Sequence, residues 1–147
     1  MDLYSDSYFM NEALKMARIA FDDGEIPVGA VIVCRNKVIA RAYNQTEKLT
    51  DVTAHAEILA ITSAENVLGA KYLSECKMYV TLEPCAMCAG ACFWAQLGEI
   101  HFAANDPKRG FSRLSENLLH PKTKFQSGLM AEESKQLLDK FFKKLRN

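Results

Sequence analysis

Cys85 and Cys88 stand three positions apart, directly after Pro84. On a helix that spacing sends both sulfurs out of one face within a single turn. Proline suits a first helical turn, where its missing N–H has no partner to lose. The pair then lies where unpaired backbone N–H groups and the positive end of the helix dipole favour thiolate over thiol. Two thiolates on one face make half of a zinc site. The other half stands thirty positions upstream, where His55 offers a third ligand atom and Glu57 a carboxylate that need not touch the metal. Three protein ligands leave the fourth tetrahedral position to water, the pattern of a catalytic rather than a structural site. Zinc brings the pKa of such a water to about 7. A hydrolysis there needs one carboxyl able to take up and return protons, which casts Glu57 as the shuttle.

Taken alone, Cys-x-x-Cys reads equally as a redox pair, and His-x-Glu as an ordinary helix start. In this order, with proline before the first cysteine, they match the His-x-Glu…Pro-Cys-x-x-Cys pattern of zinc deaminases. Cys92, four positions past Cys88, could close the site as a fourth ligand, but it lies a further turn down the helix. Glu83, just before Pro84, is expected to cap a helix or bind backbone rather than act in catalysis. Cys34 and Cys76 are expected as packed or partly exposed thiols. His101 and His120 lack a partner motif, and Phe93 and Trp94 read as packing or dimer-contact residues.

The elements that must position these groups follow from periodicity. Met10, Ala13, Leu14, Ala17, Ala20 and Phe21 recur at helical spacing, which predicts a helix over 6–22. The apolar run 28–33 predicts a strand buried on both faces, the turn Arg35-Asn36-Lys37 follows, and 38–43 predicts its hairpin partner. After a polar loop over 44–52 comes a helix over 53–68, stopped by Gly69. A strand over 78–82, the cysteine helix over 84–95 and a strand over 99–103 come next. The stretch 105–122 is irregular, with a helical turn at 115–119, and 123–126 is a fifth strand. A last helix spans 131–145, with Leu137, Leu138, Phe141, Phe142 and Leu145 facing inward. Strand–turn–strand followed by alternating helix and strand predicts an α/β fold, a three-layer α/β/α sandwich on a five-stranded mixed sheet. Both motif helices then start at strand ends on one side of the sheet, in the crevice where open α/β sheets bind ligands.

At 147 residues, with 49% apolar and 24% charged residues, the chain suits one domain, 1–147, with a real core. No apolar run approaches a membrane span. The acidic N-terminus, Met1-Asp2-Leu3-Tyr4-Ser5-Asp6, is unlike a secretory signal peptide, and five cysteines with one metal-like pair point to a reducing, cytoplasmic setting. The formal net charge is zero but unevenly spread. Residues 1–104 carry 8 Lys/Arg against 13 Asp/Glu, and residues 105–147 carry 10 against 5. Such a basic end is either a solvated helix face or a surface for nucleic acid.

Three stretches carry a closer likeness: Glu25-Ile26-Pro27-Val28-Gly29-Ala30-Val31-Ile32, Thr53-Ala54-His55-Ala56-Glu57, and Thr81-Leu82-Glu83-Pro84-Cys85-Ala86-Met87-Cys88-Ala89-Gly90-Ala91. In these the chain resembles the bacterial tRNA-specific adenosine deaminases, over most of its length. The resemblance implies a cytidine deaminase-like fold, a homodimer, and hydrolytic conversion of the wobble adenosine of a tRNA anticodon, that of an arginine tRNA, to inosine. It implies one zinc ion per subunit on His55, Cys85 and Cys88, with Glu57 as proton shuttle. It places base or ribose contact on Asn44, and RNA contacts near Asp106 and Lys108. The basic last helix, with Lys143, Lys144 and Arg146, would approach the anticodon stem-loop. The chain departs from the family where it reads Ala103-Ala104-Asn105-Asp106 and Gly110-Phe111-Ser112-Arg113, and Gln96 stands where relatives carry Arg. In the departing segment, Phe111 and Arg113 are expected to stack on and steer a flipped-out nucleotide. The zinc motif itself is shared with deaminases of free bases and nucleosides such as guanine and cytosine, the alternative reading.

Overall fold

In a computed structural model of the protein, residues 2–147 are described, apart from the side chain of Glu116; Met1 of the acidic N-terminal stretch lies outside them. Five strands form one mixed sheet in the order β2-β1-β3-β4-β5. They are β1 (Gly29–Cys34), β2 (Lys37–Tyr43), β3 (Cys76–Leu82), β4 (Glu99–Ala104) and β5 (Lys124–Ser127). The strand β1 runs antiparallel to both β2 and β3, while β4 runs parallel to both β3 and β5. Arg35 and Asn36 both adopt positive φ, 54° and 62°, the two-residue turn whose twist matches a hairpin.

Alternation along the strands sorts the core into two layers. Ala30 and Ile32 of β1, with Met78, Val80, Ile100 and Phe102, pack with Ala56, Ala60 and Ala64 of α2 (Ala56–Leu68) and with Ala89 and Cys92 of α3 (Ala86–Ala95). Val31 and Val33, with Tyr79 and Ala103, pack with Phe9, Met10 and Ala13 of α1 (Asp6–Asp22). The last helix, α4 (Ala131–Arg146), lies on that second face, where the Ser134 hydroxyl donates to the Thr81 carbonyl at 2.5 Å. The expected three-layer α/β/α sandwich on a five-stranded mixed sheet is therefore the observed architecture. Alanine on the inner faces of α2 and α3 lets both helices approach the sheet closely. The same logic is stricter at Gly29, where a Cβ would overlap the Ala13 carbonyl oxygen and the Ala17 nitrogen of α1.

Several boundaries differ from expectation, each for a local reason. The second helix begins at Ala56 rather than Thr53, because the Asp51 carboxylate accepts from both the backbone N–H and the hydroxyl of Thr53 and holds a turn there. The cysteine helix begins at Ala86 rather than Pro84, because the Pro84 carbonyl accepts from the Phe111 N–H and Cys85 bridges Gly110. The irregular stretch carries two 3₁₀ turns, Phe111–Arg113 and Glu116–Leu118, where one was expected. On α4 only Leu138 and Phe141 of the expected inward set are buried. Leu137 is half-buried, and Phe142 and Leu145 face solvent, because the helix packs on β4 and against α1 with only a narrow stripe. No helix among the described residues is long and apolar enough to cross a membrane.

Candidate metal centre and active site

The two later boundaries set the site. With α2 starting at Ala56 and α3 at Ala86, His55 and Cys85 become the N-cap residues, and Cys88 falls in the first turn of α3. Both caps have extended backbone, and neither side chain caps its own helix. They turn instead toward each other. His55 Nδ1 lies 3.7 Å from Cys85 Sγ and 3.4 Å from Cys88 Sγ, and all three donor atoms lie within 4.8 Å of one another. A tetrahedral zinc ion, with Zn–S near 2.3 Å and Zn–N near 2.05 Å, would space sulfur and nitrogen by about 3.6 Å. The donor set fits that ion in type, number and spacing. Cys92 is not part of it. Its side chain is buried in the apolar cluster under α3, and the surroundings push its thiol up, so the closed four-ligand site is not formed.

Because His55 does not cap α2, another group must satisfy the helix start. Asn44, at the end of β2, does so: its Oδ1 accepts from the Ala56 N–H at 2.8 Å, and its Nδ2 donates to the Ile26 carbonyl at 3.2 Å. Asn44 thereby fixes the helix that carries both His55 and Glu57.

Glu57, in the first turn of α2, is 4% exposed. Burial is the main cause that pushes its carboxyl up to about 7, and the Cys85 charge adds to it. Its own backbone N–H, His55 and the Cys88 thiol oppose the shift without cancelling it. A helix-dipole carboxylate at a surface would shift the other way. Among the thiols, donation from Cys88 is the leading cause that pulls Cys85 down to about 4, with His55 and the Cys88 backbone N–H contributing and burial opposing. Cys88 is pushed up by giving that hydrogen bond and by burial. His55 is raised, chiefly through its bond to Cys85. In the protein alone the Cys85 thiolate and the His55 ring are thus held against each other, the donors that a metal ion would take over.

Glu83 behaves as expected for a carboxylate that binds backbone. It accepts from the Asp106 N–H at 3.0 Å, the Ser112 N–H at 2.9 Å and the Ser112 hydroxyl at 2.5 Å. This clasp draws 105–113 against Cys85 and explains Gly110, where a Cβ would overlap the Glu83 carboxylate. The Asp106 carboxylate accepts from the Lys108 and Arg109 N–H groups and so shapes the same loop. Lys108 and Arg113 are exposed on it. Phe111 is a correction: it is fully buried, edge-on to Phe102 and Phe125, so it cannot stack on a nucleotide. In a segment rich in polar residues, its type alone could not separate a stacking platform from a core anchor.

A second clasp was missed. Glu25, buried between α1 and β1, accepts from the Glu47 and Lys48 N–H groups at 3.1 and 2.8 Å and from the Thr46 hydroxyl. The one available signal was a charged residue directly ahead of the apolar run that becomes β1. His101 is buried, stacked on Tyr79 and bonded to Glu99 at 2.5 Å, and His120 packs near Phe93. Trp94 is 77% exposed and not a core residue.

A three-donor group beside a buried glutamate, on a cytidine deaminase-like α/β sandwich, is the arrangement of a deaminase, and a family model of MafB19-like deaminases matches residues 4–146. A tRNA-specific adenosine deaminase of Aquifex aeolicus (strain VF5) is 46% identical over 145 residues, which cover 95% of each chain. A structure from studies of A-to-I editing by tRNA:A34 deaminases at the wobble position superposes with a TM-score of 0.84 at 42% identity, covering 89% of this chain and 99% of that one. A guanine deaminase from Bacillus subtilis is 40% identical with a TM-score of 0.66, over 69% of this chain and 65% of that one. The chain belongs to the tRNA-specific adenosine deaminase family.

Proposed function

We propose that this protein hydrolyses the exocyclic amine of the wobble adenosine in a tRNA anticodon, that of an arginine tRNA, to give inosine and ammonia, the whole chain 1–147 acting as one deaminase domain. The reading is carried by the His55, Cys85 and Cys88 donor set with buried Glu57 beside it, in a chain matching tRNA-specific adenosine deaminases over nearly its full length. Zinc, one ion per subunit, is the metal that two thiolates and an imidazole suit. When bound, it supplies the Lewis acidity that makes a nucleophile from water at neutral pH.

The chain's own residues do the rest. Glu57 accepts a proton from the attacking water and passes it to the ring nitrogen beside C6, then takes the proton of the new C6 hydroxyl and gives it to the departing amine. As C6 gains oxygen it loses nitrogen, so adenosine plus water balances inosine plus ammonia. Asn44 holds the start of α2, and its second Nδ2 hydrogen is left to meet the ribose or base. Asp106 shapes the loop from which Lys108 and Arg113 reach the RNA backbone. The basic end of α4, with Lys143, Lys144 and Arg146, approaches the anticodon stem, although Lys144 also sits over the Phe21 ring at 5.5 Å. The working unit is a homodimer in the cytoplasm, and exposed Met87 and Trp94 on α3 suit a subunit contact.

The test is inosine formation on an arginine tRNA anticodon stem-loop, with free adenosine, guanine and cytosine alongside. Inosine at the wobble position without turnover of the small substrates is the expected result. The likeness to a guanine deaminase favours the second reading, and turnover of guanine with an untouched stem-loop would establish it.

A further inference from the structure

At the end of the sheet remote from the metal donors, Cys34 and Cys76 are direct partners across the antiparallel pair β1 and β3. Cys76 donates its N–H to the Leu73 carbonyl and accepts at its own carbonyl from the Gly98 N–H, on the side away from β1. Cys34 closes the hairpin opposite Lys37, so its backbone groups face β2. The two cysteines therefore form a non-hydrogen-bonded pair, in which opposing Cα atoms approach to about 4.5 Å and side chains are closest. That spacing lies within the roughly 4.4–6.8 Å range a disulfide spans. Both thiols are free. Cys76 is 1% exposed and Cys34 half-buried, so only one of them meets solvent first. Both line a cavity of about 460 Å³, whose wall also carries Arg35, Lys37 and Glu75; Glu75 pairs with Arg35 at 3.3 Å, so the wall carries one cation in excess. That opening admits a small anionic molecule to the pair.

We propose that Cys34 and Cys76 form a reversible dithiol–disulfide site that exchanges with an anionic low-molecular-weight disulfide of the glutathione type. The Cys34 thiolate attacks one sulfur of the small disulfide, forming a mixed disulfide and releasing one small thiol. Cys76, its proton passing to the small thiolate just released, then attacks the Cys34 sulfur, closing Cys34–Cys76 and releasing the second. The protein loses two electrons and two protons, and the small disulfide gains them. The bond ties the hairpin to the start of β3, about 20 Å along that strand from the residues leading to Cys85. Its effect therefore falls on stability and not on the deaminating groups.

The test treats the full-length, zinc-loaded protein with oxidised glutathione and follows it by intact mass and non-reducing peptide mapping. The expected product has lost two hydrogen masses, carries no glutathione, links the Cys34 and Cys76 peptides, reverts with a reduced thiol, and melts roughly 5–10 °C higher. Cys76→Ala should trap glutathione on Cys34, and Cys34→Ser should remain unmodified at Cys76 with deamination unchanged. Should Cys76→Ala fold poorly, the wild-type peptide map decides alone. A wild-type protein in which Cys34 keeps its glutathione, or in which both thiols remain open to alkylation after denaturation, would overturn the proposal.

Discussion

Glu57 and Glu83 are buried to nearly the same degree, 4% and 3% exposed, and both belong to the segments that start the two ligand-bearing helices. Their surroundings differ in kind. Glu83 faces fixed donors: two backbone N–H groups and a hydroxyl, all within 3.0 Å. Such donors favour a carboxylate and give it nothing to exchange. Glu57 faces an imidazole and two thiols, groups that themselves gain and lose protons, in a space that disfavours its charge. Burial alone therefore does not mark a catalytic acid. What its neighbours can do with a proton decides whether a buried carboxyl is a clasp or a shuttle.

The largest test of this contrast exchanges each carboxyl for its amide. Glu57→Gln is expected to lower kcat on the order of 10³-fold, while metal content, measured by atomic spectroscopy, stays at one ion per chain. Glu83→Gln is expected to keep kcat within a few-fold and to lose stability instead. Equal losses of kcat in the two variants would show that Glu83 is not a mere clasp. Truncation goes further. Glu83→Ala leaves the Asp106 and Ser112 N–H groups without their acceptor, which is expected to cost about 2–4 kcal/mol in denaturant unfolding. Amide exchange over 106–112 should quicken first, with the metal retained. Unchanged protection there would mean that another group holds the loop.

The two carboxylates were unequally legible. That Glu57 stands beside His55 and the two cysteines was legible, because two short motifs each fall at a helix start and the fold brings both starts to one end of the sheet. The strands were legible because the continuous apolar runs that become β1 and β3 report burial on both faces, and the layers because helix alternates with strand along the chain. The Asn44 cap, the Glu25 clasp and the partners of Glu83 were not, because each joins a side chain to the backbone of a segment twelve or more positions away, and backbone N–H groups carry no residue signature. Phe111 failed differently. Its burial follows from the Glu83 clasp pulling 105–113 over the sheet edge, so a local reading could not place it.

The same contrast makes a prediction in pH. In chelator-treated protein burial holds the Glu57 carboxyl up at about 7, against an ordinary 4.5. An acid raised on folding binds more protons in the native state across that window, so its contribution is full below about 4.5 and is lost as pH rises toward 7. Metal-stripped wild type should therefore lose more stability than metal-stripped Glu57→Gln between these values, by roughly 3 kcal/mol. His55 and Cys85 titrate alongside, so the difference between the two curves is the informative quantity. Parallel curves would remove the claim that Glu57 exchanges protons in this range.

The smallest effects belong to the loop that Glu83 holds. If its role is to present cations to RNA, then Lys108→Ala and Arg113→Ala should each raise KM for a stem-loop a few-fold, leave kcat unchanged, and reduce the salt dependence of binding by about one phosphate contact each. Neither side chain is buried, so a stability change is not expected to accompany the loss. Glu83→Gln, by loosening the loop, should reproduce part of the KM effect while both cations are still present. That outcome would separate positioning from contact: the cations carry the affinity, and the clasp sets where they stand. A KM unchanged in all three variants would detach this loop from substrate binding and return the search for RNA contacts to the basic end of α4.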